Sequence, residues 1–294
     1  MGTLFLVATP IGNLDDITIR ALRILREAPL VAAEDTRTTR HLFARHEIGT
    51  RMVSFHKLNQ RTRTPQLLAH LASADLALVT DAGTPGVADP GVELVSAALA
   101  MGIHVIPIPG ASAPITALVG SGLPTDGFLF IGFLPRLRGN RRRLLLTHAG
   151  QRHTLVAFEA PHRLRATLKD IQFVLGNRQI VVAREMTKIH EEWVRGDVHH
   201  AIARFTDIAP RGEITLVIAG KPAADSAVGK HDNPDGIPGL HEQMTDDELV
   251  RILRDLMNQG RRPRQAAAEL SKQTGRSPRS LYGLLIAQNP SASI

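Results

Sequence analysis

Strand-like apolar runs alternate with helix-length stretches through the first 108 residues, and this alternation limits the fold more than any other feature of the chain. Thr3–Val7, 30–33, Met52–Ser54, 76–80 and His104–Ile108 have the length and flanks of buried strands. Between them, 17–26, Thr36–Arg45, 65–73 and 92–101 read as helices. In the first of these Ile17, Ala21, Leu22 and Leu25 recur at helical spacing. Continuously apolar strands separated by helices predict a parallel sheet covered on both faces.

A less regular run follows. Strands are expected at 128–131, 154–158, 179–183, 192–194 and 213–218, with helices near 141–149, 161–174 and 198–205. The strand at 192–194 follows its neighbour too closely for a helical crossover, so this second sheet must contain antiparallel pairs. The organisation expected is an N-terminal α/β domain (1–120) and a mixed-sheet α/β domain (121–220) joined near Gly120-Ser121-Gly122. A Gly/Pro/Asp/Ala-rich linker (221–241) then leads to a small basic helical domain (242–294). In that last part Thr245-Asp-Asp-Glu248 forms a capping box before Leu249, Ile252, Leu253, Leu256 and Met257. Gly260 closes that helix, Pro263 opens a second that Gly275 stops, and Ser277-Pro278 opens a third carrying Leu281, Leu284 and Leu285. Three short helices with a basic face fit a helix-turn-helix module or a plain bundle equally well.

Composition narrows the chemistry. With no cysteine, disulfides, thiolate nucleophiles and Cys-ligated zinc are excluded. Residues 105–125 carry no charge, but four prolines and three glycines break them into strand, loop and short helix, so no membrane span is expected. A cytoplasmic protein is expected. The formal charge of +7 raises the prior for a polyanionic partner, and its distribution sharpens it. Arg136, Arg138, Arg141, Arg142 and Arg143 fall within eight residues. Between Gly260 and Tyr282 six basic residues, among them Arg261, Arg262 and Arg264, face one acid, Glu269. Two separated basic clusters suit nucleic-acid phosphates, or else ordinary solvated faces.

Several enzyme classes drop out. The turn after the first strand has one glycine where a dinucleotide fingerprint needs three, and no G-x-x-x-x-G-K-[ST] exists. The chain lacks H-E-x-x-H, and Gly110-Ala-Ser-Ala-Pro114 is no nucleophile elbow. No metal site is expected. What remains concentrates at strand ends: Thr9-Pro-Ile-Gly-Asn13, Ala33-Glu-Asp-Thr-Arg37, Asp81-Ala-Gly-Thr-Pro85 and Pro107-Ile-Pro-Gly-Ala-Ser112. The fourth strand runs into an eleven-residue loop, 81–91, with three glycines, two prolines and two aspartates. A strand-to-helix connection needs far fewer residues, and ligands of open α/β sheets lie where this loop falls. A rim of backbone groups and carboxylates suits a polar cofactor bearing positive charge better than a triphosphate. In the second domain Phe158-Glu-Ala-Pro-His-Arg163 and Ala183-Arg-Glu-Met-Thr-Lys188 end strands in the same dense polar manner.

These motifs, together with Ala8-Thr-Pro-Ile-Gly-Asn-Leu14, Ser121-Gly-Leu-Pro124, Gly132-Phe-Leu-Pro135, Pro161-His-Arg163, Arg184-Glu-Met-Thr-Lys188 and Gly212-Glu213, occur in the order found in a known family. The chain resembles the ribosomal-RNA-modifying branch of the tetrapyrrole methylase superfamily, the class III S-adenosylmethionine methyltransferases. The resemblance spans roughly residues 3–220. It implies 2′-O-methylation of a cytidine ribose in the decoding region of small-subunit ribosomal RNA, S-adenosylmethionine as cofactor, and a homodimer. It also implies that Asp81, Ala82, Gly83 and Thr84 line the cofactor site, joined by Pro10, Pro109, Gly110 and Ser112, with Phe133, Arg184 and Gly212 from the second domain. Where such sequences usually carry His-x-His-Asn-Glu, this chain has His56-Lys-Leu-Asn-Gln60, which removes a carboxylate at position 60. Lys188 and Glu185 stand at a strand end as candidate catalytic groups or as a structural ion pair. Charge reversal at Arg141–Arg143 is expected to weaken RNA methylation and to spare cofactor binding. Competing readings are methylation of a small tetrapyrrole by the same fold and a non-catalytic RNA-binding protein.

Overall fold

The computed structural model describes residues 1–206, 210–222, 246–258, 261–274 and 277–287. They fall into two compact units, Met1–Leu146 with Gln151–Lys221, and Thr147–Gly150 with Pro222–Ile294. The first unit holds two five-stranded sheets.

The first sheet follows the expected alternation: β1 (Thr3–Val7), α1 (Ile19–Glu27), β2 (Val31–Ala33), α2 (Thr36–Arg45), β3 (Met52–Ser54), α3 (Gln60–Leu71), β4 (Leu76–Val79), α4 (Val92–Ala100), β5 (His104–Ile108) and α5 (Ala113–Ser121). Every pairing is parallel, in the order β3-β2-β4-β1-β5. Alternate side chains feed two apolar layers: Val7, Leu25, Val31, Phe43 and Val79 on one face, and Leu4, Phe55, Leu71, Leu78 and Leu94 on the other. Pro107 has no N–H to give a ladder, and β5 is accordingly an edge strand. Helix α3 starts a turn earlier than expected and carries Pro65 inside it. The earlier start is held by the Asn59 carbonyl, which accepts from Arg63 N–H (2.9 Å), while the Asn59 side chain accepts from His56 N–H (2.8 Å).

The second sheet comprises β6 (Phe128–Phe133), β7 (Thr154–Glu159), β8 (Gln179–Arg184), β9 (Glu192–Asp197) and β10 (Ile214–Ile218), ordered β6-β7-β10-β8-β9. Its helices are α6 (Arg138–Thr147), α7 (Leu164–Leu175) and α8 (Val198–Arg204). β6 and β7 run parallel, whereas β10 is antiparallel to β7 and β8, and β9 to β8. The pairs expected from the short spacing at 192 are therefore present.

One part of the expected RNA surface is corrected here. Arg141 is buried, 3% exposed, because its guanidinium reaches Asp170 on α7 through Nε (2.9 Å) and Nη2 (2.5 Å). Its Nη1 donates to the carbonyls of Pro135 and Arg136. Arg142 joins the same carboxylate (2.7 Å) and lies over the Phe173 ring, 3.9 Å from its centroid. Arg138 reaches Asp170 from solvent at 3.3 Å. These contacts make Arg141 and Arg142 internal ties between α6 and α7, and burial takes Arg141 out of the expected RNA surface. Arg136 and Arg143 are on the surface.

The second unit contains α9 (Asp246–Asn258), α10 (Pro263–Thr274) and α11 (Pro278–Ala287). Leu249, Val250, Leu253, Ala266, Ala267, Leu270 and Leu281 are buried in it. Arg261, Arg262 and Arg264 are exposed at the start of α10, with Arg261 reaching Glu269 at 3.3 Å. Thr245, Gly260, Gly275 and most of the expected linker lie outside the described residues.

Candidate functional site

The strands of the first sheet end on one rim, and the loops after β1 and β4 are joined there. Thr9 N–H donates to the Gly83 carbonyl and Gly83 N–H to the Thr9 carbonyl, both at 2.9 Å. β1 and β4 are neighbours in the sheet although three strands apart in sequence, so this is where connections diverge and a crevice opens. Beside the bridge lies a cavity of about 400 Å³, well within the range of small-molecule sites.

From the first sheet the cavity is lined by Ile11, Glu34, Asp81, Ala82, Gly83, Thr84, Val87, Asp89, Ser112, Ala113 and Pro114. The second sheet and its loops supply Phe133, Phe158, Glu159, Ala160, Pro161, Met186, Gly212, Glu213, Ile214 and Thr215. Seven of the anticipated cofactor residues are thus brought together: Asp81, Ala82, Gly83, Thr84, Ser112, Phe133 and Gly212. Four are not part of the lining. Pro10 is buried behind it, and Pro109 and Gly110 are exposed beyond it. Arg184 is turned away by its ion pair with Glu192 (2.8 Å) and by the Arg211 carbonyl (3.1 Å).

Carboxylates set the electrostatics. The Glu34 carboxylate accepts from Asp81 N–H at 3.4 Å, and Asp81 accepts from Asp35 N–H at 3.1 Å. Burial raises Glu34 above its ordinary value, and the neighbouring Asp81 adds to this against the Asp81 N–H bond. Burial likewise raises Asp81, with Asp35 adding. Asp89 is pushed up to about 6, first by burial and then by Glu34. None of the three makes a salt bridge among the described residues. Such a wall disfavours an anion and suits a bound cation. Apolar surface from Ile11, Phe133, Phe158 and Met186 completes the lining. Glu159 is also in the wall but is neutralised by Arg163 (2.5 Å), and it accepts from Ala160 N–H (2.7 Å) and from Thr167 Oγ1.

The structure places Lys188 and Glu185, the candidate catalytic pair, in an ion pair with each other. Neither residue lines the cavity. Lys188 Nζ is shared between Glu185 Oε1 and Glu213 Oε2, both at 2.9 Å, and Glu185 Oε1 also accepts from Glu213 N–H at 2.9 Å. Burial alone lowers the Lys188 pKa, but the two carboxylates outweigh it and hold the ammonium protonated. Burial likewise raises Glu185, and the Glu213 N–H and Lys188 outweigh it in the opposite direction. Both bonds to Glu185 fall on Oε1, so the two residues act as an ion pair at the base of the Glu213 backbone. They brace Glu213, which does face the cavity. Gly212 belongs to this brace: its φ is +83°, and a Cβ there would overlap the Glu185 carboxylate. Gly212→Ala is expected to cost about 1–2 kcal/mol of stability by chemical denaturation, because alanine would have to take the left-handed backbone at φ +83°.

Glu34, Val87, Asp89, Phe158, Met186, Glu213 and Thr215 were not among the anticipated site residues. Glu34 and Glu213 each adjoin a strand end, the same signal that marked Asp81, and Asp89 lies in the loop already singled out. Among the described residues no group of three or more His, Asp or Glu side chains is placed to hold a metal, and no helix is long and apolar enough to cross a membrane.

A sequence model of the tetrapyrrole (corrin/porphyrin) methylases matches residues 3–202. The chain is 48% identical over 286 residues to a Synechocystis sp. protein named ribosomal RNA small subunit methyltransferase I, covering 97% of each. A Thermotoga maritima protein of the same name is 47% identical over 222 residues, 75% of this chain and 100% of that one. Among solved structures, uroporphyrin-III C-methyl transferase from Thermus thermophilus, complexed with S-adenyl homocysteine, superposes with a TM-score of 0.51 at 23% identity, over 74% of this chain and 97% of that one. With two α/β sheets meeting at a carboxylate-walled crevice and these relatives alongside it, the chain belongs to the tetrapyrrole methylase family and, within it, to the ribosomal RNA small subunit methyltransferase I group.

Proposed function

We propose that the protein is an S-adenosylmethionine-dependent methyltransferase of small-subunit ribosomal RNA, acting on the 2′-hydroxyl of a cytidine ribose in the decoding region. The observation that carries the reading is the cavity itself: Glu34, Asp81 and Asp89, unpaired by any salt bridge among the described residues, face a cleft of small-molecule size. S-adenosylmethionine is a cation at its reactive sulfur, and when bound it supplies an already activated methyl group. The Asp81–Thr84 loop, Ser112, Phe133 and Gly212 would hold it, with Phe133 and Phe158 offering apolar surface.

What remains for the protein is alignment and exclusion of water. The 2′-hydroxyl has to sit on the line through the transferred methyl, and its proton needs an acceptor. RNA docking falls to Arg136, Arg138 and Arg143, and to Arg261, Arg262 and Arg264. Arginines crowding the first turn of α10 oppose the positive end of the helix dipole, a cost that a phosphate at the same place offsets. A homodimer, with a mass twice the 32.0 kDa of the chain in analytical ultracentrifugation, is part of the reading.

Labelled methyl transfer tests it. Small subunits lacking their native methylations are expected to take label at one ribose, in a position resistant to alkaline cleavage. Label appearing only in a precorrin-type tetrapyrrole supplied in parallel would overturn the RNA assignment.

A further inference from the structure

Asp89 is the one cavity carboxylate for which nothing above supplies a partner. The other acids are occupied: Glu34 accepts from Asp81 N–H, Asp81 from Asp35 N–H, Glu213 holds Lys188 and Glu159 holds Arg163. No hydrogen bond from any described residue reaches the Asp89 side chain.

Its backbone, by contrast, is held on both sides. Ala88 takes a left-handed conformation, φ +66°, which a residue with a Cβ adopts only when its surroundings impose it. Lys57 Nζ donates to the Ala88 carbonyl at 3.0 Å and ties this loop to the segment between β3 and α3. On the far side Gly91 has φ +140°, and a Cβ there would stand 3.1 Å from Leu78 Cδ2 and 3.4 Å from Gly86 N. The loop therefore closes on itself around Asp89 while the carboxylate is left without a partner. Strain kept at a cavity wall is a pointer to function. The charged groups facing Asp89 are Glu34 after β2, Lys57 after β3, Asp81 after β4 and Glu213 before β10.

We propose that Asp89 is the general base of methyl transfer, accepting the proton of the ribose 2′-hydroxyl. This deepens the proposed function and rests on it. In the step the O–H bond breaks and its proton passes to the Asp89 carboxylate. The oxygen forms a bond to the methyl carbon, the carbon–sulfur bond breaks, and its electron pair returns to sulfur, leaving a neutral thioether. Asp89 then releases the proton to solvent. A base working near neutral pH must be ionised there yet bind a proton better than an ordinary aspartate. Burial and the Glu34 charge give Asp89 that character, at about 6. The Lys57 ammonium limits the upward shift and keeps the ionised form available.

The test uses the full chain as wild type, Asp89→Asn and Asp89→Glu. Asparagine keeps the shape and cannot accept the proton. Asp89→Asn is expected to lower kcat roughly 100- to 1,000-fold, with KM for the subunit and calorimetric affinity for S-adenosylhomocysteine, whose sulfur is neutral, changed by less than about threefold. Wild-type turnover should fall tenfold per pH unit below about 6, and this acid limb should vanish in Asp89→Asn and persist in Asp89→Glu. A readout independent of turnover is the carbon-13 carboxyl titration of the ligand-free protein, with a midpoint near 6 that disappears in Asp89→Asn. The folded value lies above the ordinary 3.8, so stability from this group is present below 3.8 and lost as pH rises to about 6. Asp89→Asn should therefore melt higher than wild type at pH 8, which also certifies its fold. A variant keeping more than a third of wild-type kcat, or losing S-adenosylhomocysteine affinity in step with rate, overturns the proposal. A carboxyl midpoint near 4 does the same. A wild type that binds cofactor and leaves RNA unmethylated overturns the functional reading instead, a separate and visible result.

Discussion

Asp170→Ala is expected to lower the stability of the first unit by about 3–5 kcal/mol, the cost of stranding a buried charge. Asp170 is 2% exposed and is shared by Arg138, Arg141 and Arg142, so its removal strands the Arg141 guanidinium, which is itself 3% exposed. Across a unit of this size each kcal/mol moves Tm by about 2–4 °C, which places the drop at roughly 6–20 °C. Arg138→Ala is the internal control: its side chain is 64% exposed, and such pairs contribute about 1 kcal/mol or less. Thermal melts of both variants check the difference. Equal drops would mean that the ion-pair network is not centred on Arg141. Charge reversal at Arg141–Arg143 consequently tests folding before it tests RNA binding. Arg136 and Arg143 are the positions for the latter.

The second large effect concerns ligand charge. Glu34→Gln with Asp81→Asn removes two carboxylates whose protonation is already favoured by burial. Their ionised forms face a site proposed to hold a sulfonium. At the effective dielectric of a partly buried site, each charge several ångströms away contributes about 1 kcal/mol or more. Affinity for S-adenosylmethionine is expected to fall roughly 10- to 100-fold, while S-adenosylhomocysteine, whose sulfur is neutral, changes by less than about threefold. Calorimetry with both ligands decides it. Parallel losses would mean that Glu34 and Asp81 serve the rest of the ligand and not its sulfur.

Much of the fold was legible because strand signals are local. The strands Thr3–Val7, Met52–Ser54 and His104–Ile108 occur with the bounds their apolar runs suggest. The antiparallel half of the second sheet followed from a connection too short for a helix. Pro65 misled, since a proline usually opens a helix and here sits in its second turn. The arginine cluster misled for a different reason. Its partner lies 29 residues downstream from Arg141, and only packing reveals which guanidinium turns inward. A trace was present: Asp170 shares the buried side of α7 with Leu164, Thr167, Leu168 and Ile171, where a charge needs a partner. At the site, the strand-end rule picked out Asp81 to Thr84 and Ser112, which line the cavity. It gave no means to separate Asp89 from its loop neighbours, because that distinction depends on which carboxylates are already hydrogen-bonded. For Lys188 and Glu185 a linear motif left a reactive pair and a structural ion pair open, and the structure shows them bonded to each other.

The cavity draws one wall from each sheet, with Asp81 to Thr84 on one side and Phe158, Glu159 and Thr215 on the other. An occupant held by both walls acts as a thermodynamic link between them, since opening either sheet forfeits the same binding free energy. At a concentration 100 times Kd that energy is about 2.7 kcal/mol. Backbone amides of β4 and β10, which share no ladder, should therefore slow their hydrogen exchange together as ligand is titrated, and by the same factor. Cofactor binding would then couple more tightly the unfolding of two sheets that share no strand ladder.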